Sequence, residues 1–402
     1  MEHLKLSEYA TEYAVELTRE ERDSLTNAIP SLTIAPSVGF ENRYDLTASS
    51  WIGAYQIGEL AVEIRPKLPI ERVLFLMSYS LDPSAWRDET VWFESAPTLH
   101  EAIIPAFVYQ VQAAFRRGLL QGYRTEEDAL HTVRGRIRFD EQIRRRFGVV
   151  PPVEVRFDEF TEDILENRLI RAAVNRLRRL SVRSPAARAS LRAFDSALSP
   201  VTQIEYHPRQ VPEVQWSRLN AHYRPAVTLA RLILAGSVIE ARGGRVLSSG
   251  FAVDMNSVFE DFVVVALREA LGLSPRRFRQ GDGTLRLDRA GKVTLRPDVT
   301  WWEGGRCVFA GDVKYKRIKA SGILHPDLYQ LLAYSVASDL PGGLLIYAAG
   351  EDEAATHEVV HVGKRLDVVT LDLAGNIEDV LGQINGVAGR VRRWRRKARM
   401  AA

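Results

Sequence analysis

From Ser31 to about Lys67, apolar and polar residues alternate in short runs: Ser31-Leu-Thr-Ile34, Arg43-Tyr-Asp-Leu46, Trp51-Ile-Gly-Ala-Tyr55 and Leu60-Ala-Val-Glu-Ile64. Gly, Asn and Ser separate them, so the period of two predicts strands and a β-rich N-terminal domain over residues 1–95. Residues 8–28 mix a helical pattern with many charges. From Leu99 the period lengthens. His100 to Gly118, Glu162 to Leu180 and Tyr223 to Ala241 repeat apolar residues at three and four, which predicts a helical middle over 96–245. Gly243-Gly244 and Leu247-Ser-Ser-Gly250 mark the entry to a third domain, 246–385, followed by a basic tail, 386–402. Inside that domain Asn256 to Ala270 reads as an amphipathic helix. Two strands joined at Gly304-Gly305 follow, then a helix opening at His325-Pro-Asp327. The expected fold is α/β and α+β multidomain, with a mixed sheet flanked by helices at the C-terminal end.

At 402 residues the chain exceeds one ordinary core, so two or three domains are expected. Hydrophobic content of 46% and charged content of 26% describe a soluble globular protein. No apolar run reaches membrane-spanning length, and the start Met1-Glu-His is no signal peptide, so a cytoplasmic location is expected. The single cysteine, Cys307, excludes an internal disulfide framework and a cysteine-based zinc site; its place on the second strand suits a small buried hydrophobe. The absence of Gly-x-x-x-x-Gly-Lys-Ser/Thr assigns any nucleotide hydrolysis to a partner. A net charge of +3 is mild, so a DNA footprint must come from local clusters. Arg134 to Arg146, with Arg134, Arg136 and Arg138 around Gly135, is one candidate. Arg390 to Arg399 is a second, although a solvated helix face or tail explains that run as well.

The chemistry concentrates between Arg296 and Lys314. Asp298 follows Pro297 on the first strand, and Asp312-Val313-Lys314 lies on the second. Alternation points Asp312 and Lys314 one way and Val313 into the core, and a hairpin brings Asp298 beside them. Two carboxylates and an ammonium at one point are expensive unless an ion sits among them, and Mg²⁺ (or Mn²⁺) takes such oxygen ligands. Only eight of the 54 cations are lysine, three of them (Lys314, Lys316, Lys319) within six residues. Of the eight, Lys314 alone has an acid two residues before it, where an arginine would not serve equally. Glu260, among Phe259, Phe262 and Val263, is either a solvated helix residue or a further carboxylate of the site. Gln330 and Tyr334, four apart on a helix, are placed to brace it. This is the P-D…(D/E)-x-K pattern of metal-dependent nucleases. Asp298, Asp312, the Val313 carbonyl and Glu260 are the expected metal ligands, and Lys314 the group that positions water.

These pieces, with Ile64-Arg-Pro-Lys67, Val133-Arg-Gly-Arg-Ile-Arg138, Phe157-Asp-Glu-Phe-Thr161, Glu166-Asn-Arg168 and Arg218-Leu-Asn-Ala-His-Tyr223, resemble the McrC family, the nuclease subunit of McrBC-type modified-cytosine restriction systems. The resemblance runs from about residue 30 to 385. It implies a restriction-endonuclease-like core that cuts double-stranded DNA and an AAA+ GTPase ring that reads the target and is stimulated by this subunit. Because one such core cuts one strand, a homodimer through the nuclease domain is expected. The β-rich segment, with Trp51, Tyr55 and Arg65, is the expected ring contact. Two other readings stay open: a RecB-like repair or defence nuclease, and a non-cutting activator of an AAA+ ring. An adjacent AAA+ GTPase gene separates restriction from repair, and the intact carboxylates speak against the activator.

Overall fold

A computed structural model describes residues 3–29, 31–57, 59–83, 99–180, 182, 184–238, 241–243, 246–315, 325–348 and 355–400. Gly244, Lys316 and Lys319 lie outside them. The alternating N-terminal runs become strands Thr33–Pro36, Arg43–Thr47, Trp51–Ile57 and Leu60–Arg65. Residues 8–28 are not one helical stretch. Thr11–Glu16 is a strand paired with Arg43–Thr47, and Arg19–Ala28 alone is helical. Thr18 sets that boundary. Its hydroxyl accepts from the Glu21 amide while the Glu21 carboxylate accepts from the Thr18 amide, a reciprocal cap. Tyr55 is buried in the core and Arg65 pairs with Glu63 at 2.7 Å, so both support the sheet.

The larger N-terminal sheet runs His3–Ser7, Leu60–Arg65, Trp51–Ile57, Val246–Asp254, Ser237–Val238. Trp51 stands opposite Asp254 and Ile57 opposite Ser248, so this sheet joins chain ends far apart in sequence. Gly53 permits the pairing: its φ is +147°, and a Cβ there would collide with the Phe251 carbonyl oxygen. A division at residue 245 thus runs through a hydrogen-bonded sheet.

The middle is only partly helical. Leu99–Phe115, Leu165–Arg178, Pro185–Ala197 and Arg224–Ala235 pack on one another. Beside them stands a three-stranded sheet, Gly122–Leu130 and Arg136–Ile137 on either side of Val153–Thr161. Those strands alternate charge with partial burial instead of apolar with polar residues, which hid them from a hydrophobic period. The helix expected to reach Ala241 stops at Ala235. Gly236 turns extended there, and any Cβ on it would strike the Phe251 ring.

The C-terminal sheet is mixed, in the order Phe278–Gln280, Val299–Glu303, Arg306–Lys314, Gly342–Ala348, Arg365–Leu371, Thr356–Glu358. Arg306–Lys314, Gly342–Ala348 and Arg365–Leu371 run parallel; the outer pairings are antiparallel. His325–Ala337 crosses between the first two parallel strands. Adjacent strand residues face opposite ways, and Gly342 lies against Trp394 while Gly343 lies against Leu331. Helices His325–Ala337 and Ile377–Met400 therefore cover opposite faces. The basic run expected as a tail is the second half of Ile377–Met400. Val391, Trp394 and Ala398 are buried, and Arg395 and Arg399 converge on Glu303. Its apolar residues recur at three and four between the arginines, and that stripe anchors it. Among the described residues no helix is long and apolar enough to cross a membrane.

Helix Ile70–Leu81 packs on helix Met255–Leu271, joining the regions assigned to the first and third domains. Three rings make the joint, with centroids 5.5 Å apart for Phe75–Phe262 and Tyr79–Phe262 and 5.7 Å for Phe75–Tyr79, all edge to face. Phe262 is fully buried. Phe262→Ala is expected to lower stability by about 3–5 kcal/mol, since it removes the ring and leaves a cavity that rigid neighbours cannot fill. Urea denaturation of the full chain measures this, and a loss below about 1 kcal/mol would show that the joint carries little.

Candidate active site

Gly304 and Gly305 have φ of +56° and +81°, the left-handed pair that a tight two-residue hairpin turn requires. The turn sets the register of Val299–Glu303 against Arg306–Lys314, with Val299 opposite Gly311. Asp298 therefore lies one residue past the paired end, and its Oδ2 accepts the Val313 amide at 2.8 Å. Alternation turns Val313 to the core and brings Asp312 and Lys314 to the Asp298 side. Asp312 has no solvent exposure, while Asp298 and Lys314 are partly exposed.

The ammonium of Lys314 lies between the carboxylates, 2.5 Å from Asp312 Oδ2 and 3.7 Å from Asp298 Oδ2. The chain's own cation thus bridges the two carboxylates. Neither Asp312 oxygen accepts a well-aligned hydrogen bond among the described residues. Burial weighs against every charge here, and the neighbours decide the outcome. For Asp312, burial and then the Asp298 charge push the carboxyl well above its usual range, outweighing Lys314. For Lys314, burial is outweighed by the attraction of Asp312 and Asp298, and its affinity for the proton rises.

Glu260, half-buried on helix Met255–Leu271, is raised from 4.5 to about 7, by burial first and the Asp298 charge second. Gln280 was passed over in the sequence. Its Nε2 donates to Glu260 Oε1 at 3.1 Å and Asp261 Oδ1 at 2.6 Å. A lone polar residue closing an edge strand carries no signal by itself. Gln330 donates to Tyr334 Oη at 2.5 Å, and Tyr334 Oη donates to the Arg296 carbonyl at 3.1 Å. That pair holds the backbone two residues before Asp298. Asp327, at the start of the same helix, accepts from Tyr347 Oη at 2.6 Å, and Tyr347 is the register partner of Lys314. Among the described residues no three His, Cys, Asp or Glu side chains converge as a ready-formed metal centre. What converges is the aspartate pair, with Glu260 coupled to it by charge.

The arginines expected to contact DNA lie on and beside the three-stranded sheet of the middle region, and most of them are ion-paired. Arg134 stacks on Phe157, its Cζ 4.2 Å from the ring centroid, and lies 3.8 Å from Glu159. Arg138 pairs with Glu127 at 2.9 Å, Arg144 and Arg145 with Glu141 at 2.8 and 2.7 Å, and Arg146 with Glu154 at 3.0 Å. Arg136 is exposed on its short strand.

A family model described as "McrBC 5-methylcytosine restriction system component" matches residues 46–348. No curated protein matches the chain in sequence. A chain from the Thermococcus gammatolerans assembly of McrB AAA+ hexamers with bound McrC is 17% identical, with a TM-score of 0.53, and the match covers 96% of this chain and 100% of that one. A second structure, the Thermococcus gammatolerans McrBC complex, matches at 21% identity over 69% of this chain and 89% of that one, with a TM-score of 0.40. At these identities the first likeness is one of fold.

The raised Glu260 sets a pH dependence. The folded chain keeps a proton that the unfolded chain releases above 4.5, so this stability is complete below that value and is lost as pH rises through about 7. In cation-free buffer, Glu260→Gln is expected to make the fall in urea midpoint between pH 4.5 and 7 shallower, the remainder coming from Asp312, whose proton affinity is also raised. An unchanged slope in the variant would place the titration elsewhere.

Proposed function

Because the chain belongs to the McrBC 5-methylcytosine restriction family, we propose that it is the DNA-cutting subunit of such a system, built on a PD-(D/E)xK core. The observation that carries this reading is a fully buried Asp312 with no aligned hydrogen-bond donor on either oxygen, held beside Asp298 and Lys314 at the end of a central strand. A buried carboxylate whose one close cation is poorly aligned is a poor structural device and a good ligand for a hard cation. Asp298, Asp312, the Val313 carbonyl and Glu260 would hold Mg²⁺ or Mn²⁺. When bound, the cation acidifies a water and neutralises charge on the scissile phosphate.

This chain's own residues supply the rest. Lys314 yields its place between the aspartates and turns its ammonium to the attacking water and the charge growing on phosphate. Glu260, which faces the Asp298 charge from its helix, would complete the cation's ligand set directly or through water. Tyr334 and Gln330 fix the backbone from which Asp298 projects. The proposed partner is an AAA+ ring, as McrB hexamers are in the Thermococcus gammatolerans assembly with bound McrC, and the proposed effect of this chain is to stimulate its own partner's nucleotide hydrolysis. Double-strand cleavage calls for two copies paired through their nuclease domains.

Asp312→Asn preserves shape and removes the charge. It is expected to abolish cleavage of methylated plasmid by the assembled complex, with the urea midpoint kept or raised. Lys314→Ala is expected to slow cleavage by about 100- to 1000-fold, the scale for losing one group that stabilises developing charge. Wild-type cutting by Asp312→Asn would rule out this centre.

Cleavage is expected with Mg²⁺ or Mn²⁺ and to fail with Ca²⁺, whose larger, looser coordination holds the reacting groups less tightly. Calcium should still protect the folded chain against heat, and Asp312→Asn should lose that protection. Strong cutting in excess chelator would overturn the metal assignment.

A further inference from the structure

Residues 285–295 form a small hairpin of their own, set between the edge strand and Asp298. Leu285 pairs with Leu295 and Arg286 with Thr294, and the Leu287 amide donates to the Val293 carbonyl at 3.0 Å. Asp288 staples the turn. Its Oδ1 accepts the Val293 amide at 2.8 Å, and its carbonyl accepts the Gly291 amide at 3.1 Å. The acid of the turn is thereby spent on backbone amides. Arg286, Arg289, Lys292 and Arg296 are all exposed, and among the described residues none of them is ion-paired. Arg286 hydrogen-bonds only backbone carbonyls, those of Gly283 and Leu285. This is the reverse of the Arg134–Arg146 stretch, where glutamates answer most of the arginines.

Both legs of the hairpin are rooted in the candidate centre. The entering leg leaves Gln280, which holds Glu260, and Gly281, whose amide donates to the Asp298 carbonyl at 3.3 Å. The leaving leg passes through Arg296, whose carbonyl Tyr334 holds, straight into Pro297 and Asp298. The four cations are thus fixed relative to the carboxylates by short, hydrogen-bonded backbone.

We propose that this hairpin grips duplex DNA beside the scissile phosphate, through Arg286, Arg289, Lys292 and Arg296; the proposal rests on the nuclease reading. A strand advances about 3.3 Å per residue, so Lys292 stands about 13 Å from Arg296 along the ribbon. That length spans roughly four nucleotides of one DNA strand at about 3.4 Å each. A two-stranded ribbon also matches the width of the DNA major groove, about 12 Å. Phosphate contact by these side chains adds affinity without choosing sequence.

The test uses the full chain carrying Asp312→Asn, a labelled duplex, and fluorescence anisotropy across a salt series. Arg289→Glu with Lys292→Glu changes two exposed turn residues that support no buried contact. This pair is expected to weaken binding at least about tenfold and to reduce the salt slope by about two, the signature of two lost phosphate contacts. The charge-matched pair Arg117→Glu with Arg192→Glu, exposed on the helical middle, should leave the slope unchanged. A hairpin variant with the parent slope, an equal loss in the charge-matched pair, or no duplex binding by the parent would each overturn the proposal. Cleavage by the unsubstituted chain, lost in Asp312→Asn, tests the nuclease reading by itself. A chain that cuts yet ignores the hairpin substitutions keeps that reading and removes this one.

Discussion

One carboxylate sealed from water organises the C-terminal half. Asp312 has no solvent exposure and no aligned hydrogen-bond donor, and an isolated charge in that position would cost several kcal/mol, on the order of the penalty for a buried ion. Lys314 offsets part of that cost and Asp298 adds to it, so the surrounding elements must hold the group in place. The turn at Gly304-Gly305 sets the register that brings Asp298 alongside, and the Val313 amide fixes the Asp298 side chain. Lys314, two residues on, is turned the same way by the pleat. Helix His325–Ala337 then clamps the chain before Asp298 through Tyr334. Each of these elements is ordinary alone. Their joint function is to keep a charged, poorly solvated cluster from rearranging.

The parts of this arrangement that depend on neighbours in sequence were legible there. The hairpin, the Asp-x-Lys alternation and the Gln330–Tyr334 spacing follow from the periods of strand and helix. The N-terminal strands were legible for the same reason. What escaped was set by partners distant in sequence. Val246–Asp254 became a partner of Trp51–Ile57 only because Gly53 lets two backbones approach. The strands Gly122–Leu130 and Val153–Thr161 carry so many charges that their period is ionic, and it emerges only when their partners are side by side. Gln280 finds Glu260 and Asp261 across a gap that no spacing rule measures.

The arginines teach a related lesson about charge. Counted along the chain, Arg134–Arg146 and Arg390–Arg399 are the runs densest in cations. In space, the first meets Glu127, Glu141, Glu154 and Glu159, while in the second Arg395 and Arg399 meet Glu303 and Arg392 caps the Ala270 carbonyl. Burial would raise the proton affinity of Glu303, yet the bonds from Arg395 and Arg399 more than offset it, as expected of a structural ion cluster. Arg393, Arg396 and Lys397 stay exposed on helix Ile377–Met400, but the four open cations beside the aspartate pair sit on a shorter and less conspicuous segment. Charge density in a sequence measures supply; the potential felt by a ligand depends on what remains after the fold has paired it.

The sheet shared by Trp51–Ile57 and Val246–Asp254 also dictates an order of assembly during synthesis. Strand Trp51–Ile57 leaves the ribosome early and pairs at once with Leu60–Arg65, but its other edge stays open until Asp254 has emerged. An open strand edge is a template for pairing with any passing chain. The helical middle is made entirely within that interval, and its local contacts form faster than distant strand pairs. The nascent chain therefore carries a half-finished sheet at its front while its centre condenses. The last strand of the first sheet is delivered by the same segment that leads into the helix bearing Glu260. Closing the oldest part of the molecule and founding the part that carries the aspartate pair are, for this chain, a single event of translation.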